Sequence, residues 1–258
     1  MKKRFGRPPR SPADSCKRTY RQRICSVGLR AFQVVCQETD LMVQADRRLD
    51  DVTLEQMLAC RGQIDGYIQR YPEFAATLVP WRQETFAPEI VREMIAAGRA
   101  AGVGPMAAVA GAVAETVGRA LLQYSHQVVV ENGGDVFLKT DGPLVAGLFA
   151  GDSPLSMKMG IKMQDTSDGI GRCTSSGTVG HSLSTGSADA VCVISRSCAL
   201  ADAAATAIGN QIHSPREIKT AISFGKGIAG VLGIVVVVGR EMGAWGQVEL
   251  VPLTGKKG

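Results

Sequence analysis

"PMAAVAGAVAETVGRALLQY", Pro105 to Tyr124, is the stretch that decides the fold. A proline stands where a first helical turn would begin, and its missing N–H group costs nothing there. Small residues follow on nearly every face of the predicted helix. Because small residues let a helix approach its neighbours closely, this pattern suits packing against a sheet. The stretch therefore predicts a central buried helix.

Strands and helices are also predicted before this helix. Short apolar segments near the N-terminus indicate a small meander of strands, with a turn at Glu38–Asp40. Thr53 and Gln56 have the spacing of a capping box, and the helical repeat that follows them stops at Pro72. A second helix is predicted at about 87–101.

The segments after the central helix alternate between strands and helices. Four short strands are predicted within 126–163, one at 188–195, and helices at about 198–212 and 215–224. The last two apolar segments are predicted to form a hairpin that turns around Met242–Gly246. Runs of strands interleaved with helices and joined by short turns predict an α+β fold with largely antiparallel sheets and packed helices.

The positive charge is concentrated at the N-terminus. The 258 residues carry a formal net charge of +5. Residues 1–23 hold nine basic side chains and one acidic side chain, whereas the rest hold 20 basic and 23 acidic ones. We expect 1–18 to be a disordered basic arm and 19–258 a single domain. A nucleic-acid-binding protein is the least favoured class, because only the arm has a basic excess.

Cysteine usage and hydropathy indicate the compartment. The seven cysteines are scattered without a Cys-x-x-Cys pair, which predicts a reduced, cytoplasmic protein without a zinc or iron–sulfur site. The longest apolar run, 227–239, is too short for a membrane span and is predicted to be a buried strand. The apolar C-terminal strands and the helices rich in Gly and Ala are compatible with a homodimer.

The first polar cluster is Asn132-Gly133-Gly134-Asp135, between two predicted strands. A glycine pair lets backbone amides approach a ligand, and the carboxylate can accept hydrogen bonds from ligand hydroxyls. The alternative interpretation is an ordinary hairpin turn.

The second cluster is the segment 172–191, "RCTSSGTVGHSLSTGSADAV". Its hydroxyls, glycine amides and the imidazole of His181 are groups that can bind phosphate or ribose. A Ser176/His181/Asp189 triad and a Cys173/His181 pair are alternatives, although no nucleophile elbow supports them. A plain polar loop is the simplest interpretation.

The third cluster is Asp202 and Thr206, four residues apart in a predicted helix. Residues at this spacing share a helical face, and two hard oxygen donors suit Mg²⁺, which takes its other ligands from water and phosphate. Alternatively, Asp202 complements the dipole of its helix and Thr206 is simply packed.

Taken in order, these segments resemble a known family. The central helix, ENGGDVFL, TSSG followed by His181, ADAVCVIS and ALADAAATAIG resemble the ApbE-like superfamily over about 105–212. This superfamily has the fold of FAD:protein FMN transferases, and the chain is most similar to its compact branch of archaea and anaerobic bacteria. The resemblance implies an ApbE-like, T-fold-related arrangement of sheets and helices.

The resemblance also implies a function and a site. It implies Mg²⁺ and a cleft for FAD or another flavin or phosphorylated ligand, with transfer of FMN to a protein substrate and release of AMP. It implies metal ligation by Asp202 and Thr206 and catalytic roles for His181 and Asp202. The ligand-binding positions would be Asn132, Gly133, Gly134, Asp135, Thr174, Ser175, Ser176 and Gly177.

Two departures from the transferase pattern leave a second function open. Where transferases carry Lys-Gly-Tyr-Ala, the segment Val109–Ala114 has neither lysine nor tyrosine. The segment after His181 is two residues shorter and lacks an Asp-Pro pair. Because this branch is associated with sulfide assimilation into homocysteine, the alternative is a non-transferase accessory or binding protein in sulfur-amino-acid biosynthesis.

Overall fold

A computed structural model describes residues 28–163, 170–175 and 186–253, and for 170–175 it describes the backbone alone. The predicted arm and its boundary at residue 18 lie outside this part of the chain. The helices are α1 (Asp50–Arg70), α2 (Glu73–Ala76), α3 (Glu89–Ala101), α4 (Val109–Leu121), α5 (Cys198–Gly209) and α6 (Ile218–Lys226). Short 3₁₀ turns at Pro105–Ala108 and Pro215–Glu217 precede α4 and α6.

The strands form two sheets. They are β1 (Arg30–Cys36), β2 (Thr39–Ala45), β3 (Val128–Asn132), β4 (Asp135–Lys139), β5 (Leu144–Gly147), β6 (Met159–Met163), β7 (Ile170–Ser175), β8 (Ala190–Ser195), β9 (Val231–Val238), β10 (Glu241–Gly246) and β11 (Glu249–Pro252). The large sheet has the order β1-β2-β3-β4-β7-β8-β9-β10, and the small sheet has the order β11-β6-β5. Neighbouring strands in both are antiparallel. The predicted α+β class is confirmed.

The large sheet separates the helices from the small sheet. Alternate residues of β9 show this arrangement, because Ile234 and Val236 pack into the helical core while Val235 and Val237 pack against Ile161 of β6. A strand that is buried on both faces has an apolar side chain at nearly every position. The prediction of a buried strand in the apolar run is therefore confirmed.

Helix α4 is buried as predicted, and it lies against β3 and β4. Its small residues allow this close contact. At Gly118 an added Cβ would lie 2.1 Å from Cδ1 of Phe137, a β4 side chain that is only 1% exposed. The helix can lie this close to the sheet only because residue 118 has no side chain.

Two local predictions near the N-terminus are wrong. Helix α1 begins at Asp50, so Thr53 is not its cap; the buried Thr53 hydroxyl instead donates to the Leu49 carbonyl over 2.8 Å. The first turn is Gln37–Glu38, and Thr39 already belongs to β2. Arg61 of α1 stabilises this turn by donating to the Glu38 carboxylate and the Thr39 hydroxyl, each over 2.8 Å.

The predicted C-terminal hairpin is also wrong. Residues 241–246 form β10, which pairs with β9 across a turn that includes Gly239 at a φ of 62°. A glycine reaches that left-handed conformation without strain. The final strand, β11, leaves the large sheet and pairs with β6.

Within the described ranges, no single helix is long and apolar enough to cross a membrane. Two consecutive helices, Glu89–Ala101 and Pro105–Leu121, together reach the length and apolar composition of a membrane span, but they are bent by 105° relative to each other.

A cleft of about 570 Å³ opens between α1, α3 and α4. Burial raises the pKa of Glu93 to about 7, and the nearby carboxylates of Glu115 and Glu89 add to the effect. The cleft is lined by Gln63, Pro88, Glu89, Ile90, Glu93, Glu115, Thr116 and Arg119.

Replacing Gly118 with alanine should destabilise the protein by roughly 1–3 kcal/mol, because the methyl group overpacks the contact with Phe137. The matched control is Gly62→Ala in α1, where an added Cβ meets nothing within 4 Å. This control should gain about 0.5–1 kcal/mol from helix propensity. Urea unfolding measures both variants, and equal stabilities for Gly118→Ala and the wild type would contradict the close contact.

Replacing Glu93 with glutamine should remove one pH dependence of stability. A folded-state pKa near 7, above the ordinary 4.5, means that the contribution of Glu93 to stability is most favourable below pH 4.5 and becomes less favourable as the pH rises to about 7. The variant should therefore be more stable than the wild type by about 1 kcal/mol at about pH 8, allowing for the screening of a half-buried side chain.

Below about pH 5 that difference should shrink toward zero, because the wild-type carboxyl group is then protonated as well. The control is Glu55→Gln, which removes an exposed charge from α1. Urea unfolding at several pH values tests the comparison. If the free energy of unfolding of Glu93→Gln differs from that of the wild type by the same amount at about pH 5 and about pH 8, the raised pKa is contradicted.

Candidate functional site

The first and third polar clusters meet at one peptide group of α4. The Asn132 side chain donates from Nδ2 to the Ala110 carbonyl over 3.1 Å. The Gly111 N–H group donates to Oδ2 of Asp202 over 3.0 Å. Since that carbonyl and that N–H group belong to the same peptide bond, Asn132 and Asp202 bind opposite sides of one rigid unit.

Helices α4 and α5 touch at this point because Gly111 has no side chain. A Cβ at Gly111 would lie 2.2 Å from the Cys198 carbonyl oxygen and 3.0 Å from the Asp202 Cβ. Contacts this short require a backbone shift. The glycine therefore sets how near Asp202 can come to α4.

A second carboxylate joins the same two helices in the opposite direction. Glu115, only 5% exposed in the middle of α4, accepts a hydrogen bond from the Cys198 N–H group over 2.7 Å. Its other oxygen accepts two from Arg119, over 2.7 and 3.0 Å. Cys198 is the first residue of α5, and Gly111 lies in the first turn of α4. Each helix thus supplies a carboxylate to the N-terminal N–H groups of the other, an arrangement that also complements both helix dipoles.

The predicted metal-binding pair lies on α5. Asp202 and Thr206 are one turn apart and are 3% and 5% exposed. Within the described residues, the Thr206 hydroxyl oxygen has no hydrogen-bond partner. A buried hydroxyl without a partner costs free energy. The observation favours a ligand role for Thr206 over simple packing.

The alternative interpretation from the sequence is that Asp202 complements the dipole of its own helix. Asp202 lies beyond the first turn of α5, and its carboxylate bonds to the start of α4. It therefore complements the dipole of a neighbouring helix. A carboxylate oxygen can accept from an N–H group and also ligate a cation, because it has more than one lone pair.

Cys198 lies among buried acids, which disfavour ionisation of its thiol. Burial raises the pKa of its thiol well above the ordinary value, and the carboxylates of Glu115, Asp135 and Asp202 raise it further, while Arg119 opposes them. The thiol donates to the Val136 carbonyl, with a 3.7 Å separation. Because the thiolate is the reactive form, this cysteine is structural.

The predicted ligand turn is a two-residue hairpin between β3 and β4. Asn132 pairs with Asp135, and Gly133 has a φ of 73°. Asp135 is buried, at 7% exposure. The hairpin interpretation is therefore correct. The turn also lies near Asp202, because Asn132 and Asp202 bind the same peptide group of α4.

The polar segment 172–191 begins as a strand. Thr174 and Ser175 belong to β7, where they pair with Cys192 and Val191 of β8. The expectation of a loop from residue 172 is therefore wrong for 172–175. The register places Cys173 opposite Asp135, so this strand runs beside the predicted ligand turn.

The rest of that segment is described only in part. Ser176, Gly177 and His181 lie outside the described residues. Asp189 accepts a hydrogen bond from the Gly239 N–H group over 2.6 Å, so it stabilises the turn between β9 and β10.

Asp202 and Thr206 offer two of the oxygen ligands that a hard cation needs. In the described part of the chain, no three His, Cys, Asp or Glu side chains form a cluster that could hold a metal ion. A Mg²⁺ ion does not need such a cluster, since it keeps several waters and takes phosphate oxygens. The buried Thr206 hydroxyl and the Asp202 carboxylate are the two protein oxygens that would hold it.

Sequence reasoning missed Glu115 and Gly111. Glu115 is the one charged residue between Pro105 and Gly118, and a lone acid in a run predicted to be buried is the signal that could have identified it. Gly111 had no distinguishing signal among so many small residues.

Comparisons with known proteins place the chain in a family. A family model described as "AbpE bacteria" matches residues 22–232. A UPF0280 protein of Methanocella arvoryzae is 42% identical over 214 residues, which cover 81% of this chain and 86% of that protein. A UPF0280 protein of Methanococcus aeolicus is 38% identical over 226 residues, covering 85% and 91%.

Solved structures show the same fold at low sequence identity. The ApbE protein of Thermotoga maritima is similar with a TM-score of 0.55 and 11% identity, covering 83% of this chain and 96% of that one. The flavinyl transferase ApbE of Pseudomonas stutzeri gives a TM-score of 0.52 and 15% identity, covering 84% and 94%. The match to the family model, the archaeal relatives and the shared fold together show that this chain belongs to the ApbE-like superfamily.

Proposed function

We propose that this protein transfers FMN from FAD to a hydroxyl group of a protein substrate, with Mg²⁺ bound at Asp202 and Thr206. The observation that carries the proposal is the buried Thr206 hydroxyl, which lacks a hydrogen-bond partner among the described residues and lies one turn from Asp202. Support for the reaction class comes from fold neighbours whose names identify them as flavin transferases.

The charge around the site also supports a cation. Glu115, Asp135 and Asp202 all act on the Cys198 thiol, and the guanidinium of Arg119 is the opposing charge. A cation bound near these three carboxylates would be stabilised by their charge in a buried region. Mg²⁺ bound there would neutralise charge on the phosphate oxygens of FAD as the pyrophosphate separates.

The residues of the chain have the following roles in this proposal. Asp202 and Thr206 hold the cation, and the peptide at Gly111 orients Asp202. The amides of the Gly133-Gly134 turn would bind the flavin nucleotide, and 174–177 are the further positions assigned to it in this proposal. His181 is the candidate base for the proton of the acceptor hydroxyl.

The bonds in this reaction balance. The acceptor hydroxyl oxygen bonds to the FMN phosphorus, and the bond between that phosphorus and the bridging oxygen breaks. AMP leaves with the bridging oxygen, and the hydroxyl proton passes to the base. The products are AMP and a protein that carries FMN through a phosphodiester.

The wild-type protein is incubated with FAD, Mg²⁺ and a pool of peptides that contain serine and threonine. It should release AMP and yield peptides that fluoresce because they carry the flavin. Asp202→Ala should lower AMP release by about 100-fold, because the transition state loses several kcal/mol of charge stabilisation. Chromatography measures AMP, and Asp65→Ala, at an exposed position of α1, is the control.

If the wild type releases no more AMP than Asp202→Ala, the transferase proposal is wrong. Calorimetry with FAD then tests the alternative of an accessory or binding protein. Binding of FAD without AMP release is the result expected for that alternative.

Thr206→Val should separate metal binding from stability. The substitution keeps the shape but removes a buried hydroxyl without a partner in the described residues, so the free energy of unfolding should stay the same or rise by about 1 kcal/mol. The affinity for Mn²⁺, measured by electron paramagnetic resonance as a probe for Mg²⁺, should fall by about tenfold.

The matched control is Thr53→Val, because the buried Thr53 hydroxyl donates to the Leu49 carbonyl. This variant should lose about 1 kcal/mol of stability and keep the Mn²⁺ affinity of the wild type. If both valine variants lose equal stability and neither changes Mn²⁺ affinity, Thr206 is a packed residue and not a ligand.

A further inference from the structure

Glu115 is a buried carboxylate whose two oxygens face different partners. One oxygen accepts two hydrogen bonds from Arg119, four residues later in α4, and the other accepts the N–H group of Cys198. The Arg119 side chain is 52% exposed, whereas that of Glu115 is 7% exposed. The ion pair thus reaches the surface, and the contact with Cys198 lies inside.

The contact with Cys198 fixes the start of α5. Ser197 caps this helix by accepting from the Leu200 N–H group over 3.2 Å. The first turn of α5 has no acidic residue of its own. Glu115 therefore supplies from α4 the negative charge that a helix N-terminus favours, and it attaches that N-terminus to α4.

Asp202 and Thr206 follow Cys198 by one and two helical turns. Because a helix is rigid over this distance, the position of its first residue decides where both side chains lie. On the α4 side, the Gly111 N–H group donates to Asp202, and the space at Gly111 is too small for a methyl group. A shift of α5 along α4 would therefore break the Asp202 contact.

We propose that Glu115 is a positioning residue of the metal site: by holding the Cys198 N–H group it keeps Asp202 and Thr206 in register with α4. This inference rests on the proposed metal role of that pair. Glu115 itself does not ligate the metal in this proposal. Its effect is carried by the first turn of α5.

A general contribution of Glu115 to stability is the competing explanation, and three variants separate the two. Glu115→Gln keeps a carbonyl oxygen for Cys198 but loses the charge, whereas Glu115→Ala loses the acceptor altogether. Gly118→Ala lies on the same helix and destabilises it through Phe137, while the acceptor for Cys198 stays in place. It is therefore a control for lost stability without lost positioning.

The first measurement is Mn²⁺ affinity of the full-length protein by electron paramagnetic resonance. Glu115→Ala should bind Mn²⁺ about 10- to 100-fold more weakly than the wild type, the range seen when a residue that orients a ligand is removed. Glu115→Gln should stay within about threefold, and Gly118→Ala should match the wild type. The proposal is overturned if Glu115→Ala keeps wild-type affinity, or if Gly118→Ala weakens binding as much.

The second measurement does not need a metal. Amide hydrogen exchange at Gly111 reports whether Asp202 still accepts its N–H group. Exchange should be faster in Glu115→Ala than in Glu115→Gln or the wild type. If the wild type binds no Mn²⁺, the metal role in the proposed function fails, and equal exchange rates in all three proteins would also overturn the positioning role.

Glu115→Asp replaces the alanine variant if that variant does not fold. Aspartate keeps the charge but withdraws the carboxylate by one methylene group. Weaker Mn²⁺ binding by Glu115→Asp than by Glu115→Gln supports positioning through the acceptor. Equal affinities for the two would contradict it.

Discussion

Two carboxylate-to-amide contacts between α4 and α5 are the constraint on which the site depends. Glu115 of α4 accepts the first N–H group of α5, and Asp202 of α5 accepts an N–H group in the first turn of α4. Both carboxylates are buried, and each bond between a charge and a buried N–H group is stronger than a neutral one. The two helices are therefore fixed as an antiparallel pair. The absence of a side chain at Gly111 sets the distance between them.

This constraint explains why the polar residues of the site lie on different elements yet meet. The peptide between Ala110 and Gly111 receives Asn132 from the β3–β4 hairpin and Asp202 from α5. The strand β7 runs beside the same hairpin. The start of α4 therefore contacts both a strand end of the sheet and the neighbouring helix.

The parts of the fold that depend on local pattern were predictable, and the parts that depend on distant partners were not. The small residues of α4 predicted its burial, and the helical spacing of Asp202 and Thr206 placed both on one face of α5. The bond from Glu115 to Cys198 spans 83 residues, so no local periodicity could indicate it. The hairpin expected at Met242–Gly246 failed for the same reason, because β11 pairs with β6 and not with its neighbour in sequence.

The pairing of β11 with β6 has a consequence for the folding of the chain. Lys162 and Glu249, which face each other across these strands, are 87 residues apart. Without β11 the small sheet has two strands, and the edge of β6 that pairs with Leu250 is open. Closing such a long loop adds entropy cost before its contacts form. The small sheet therefore depends on a long-range contact, whereas α4, β3 and β4 are neighbouring segments of the chain.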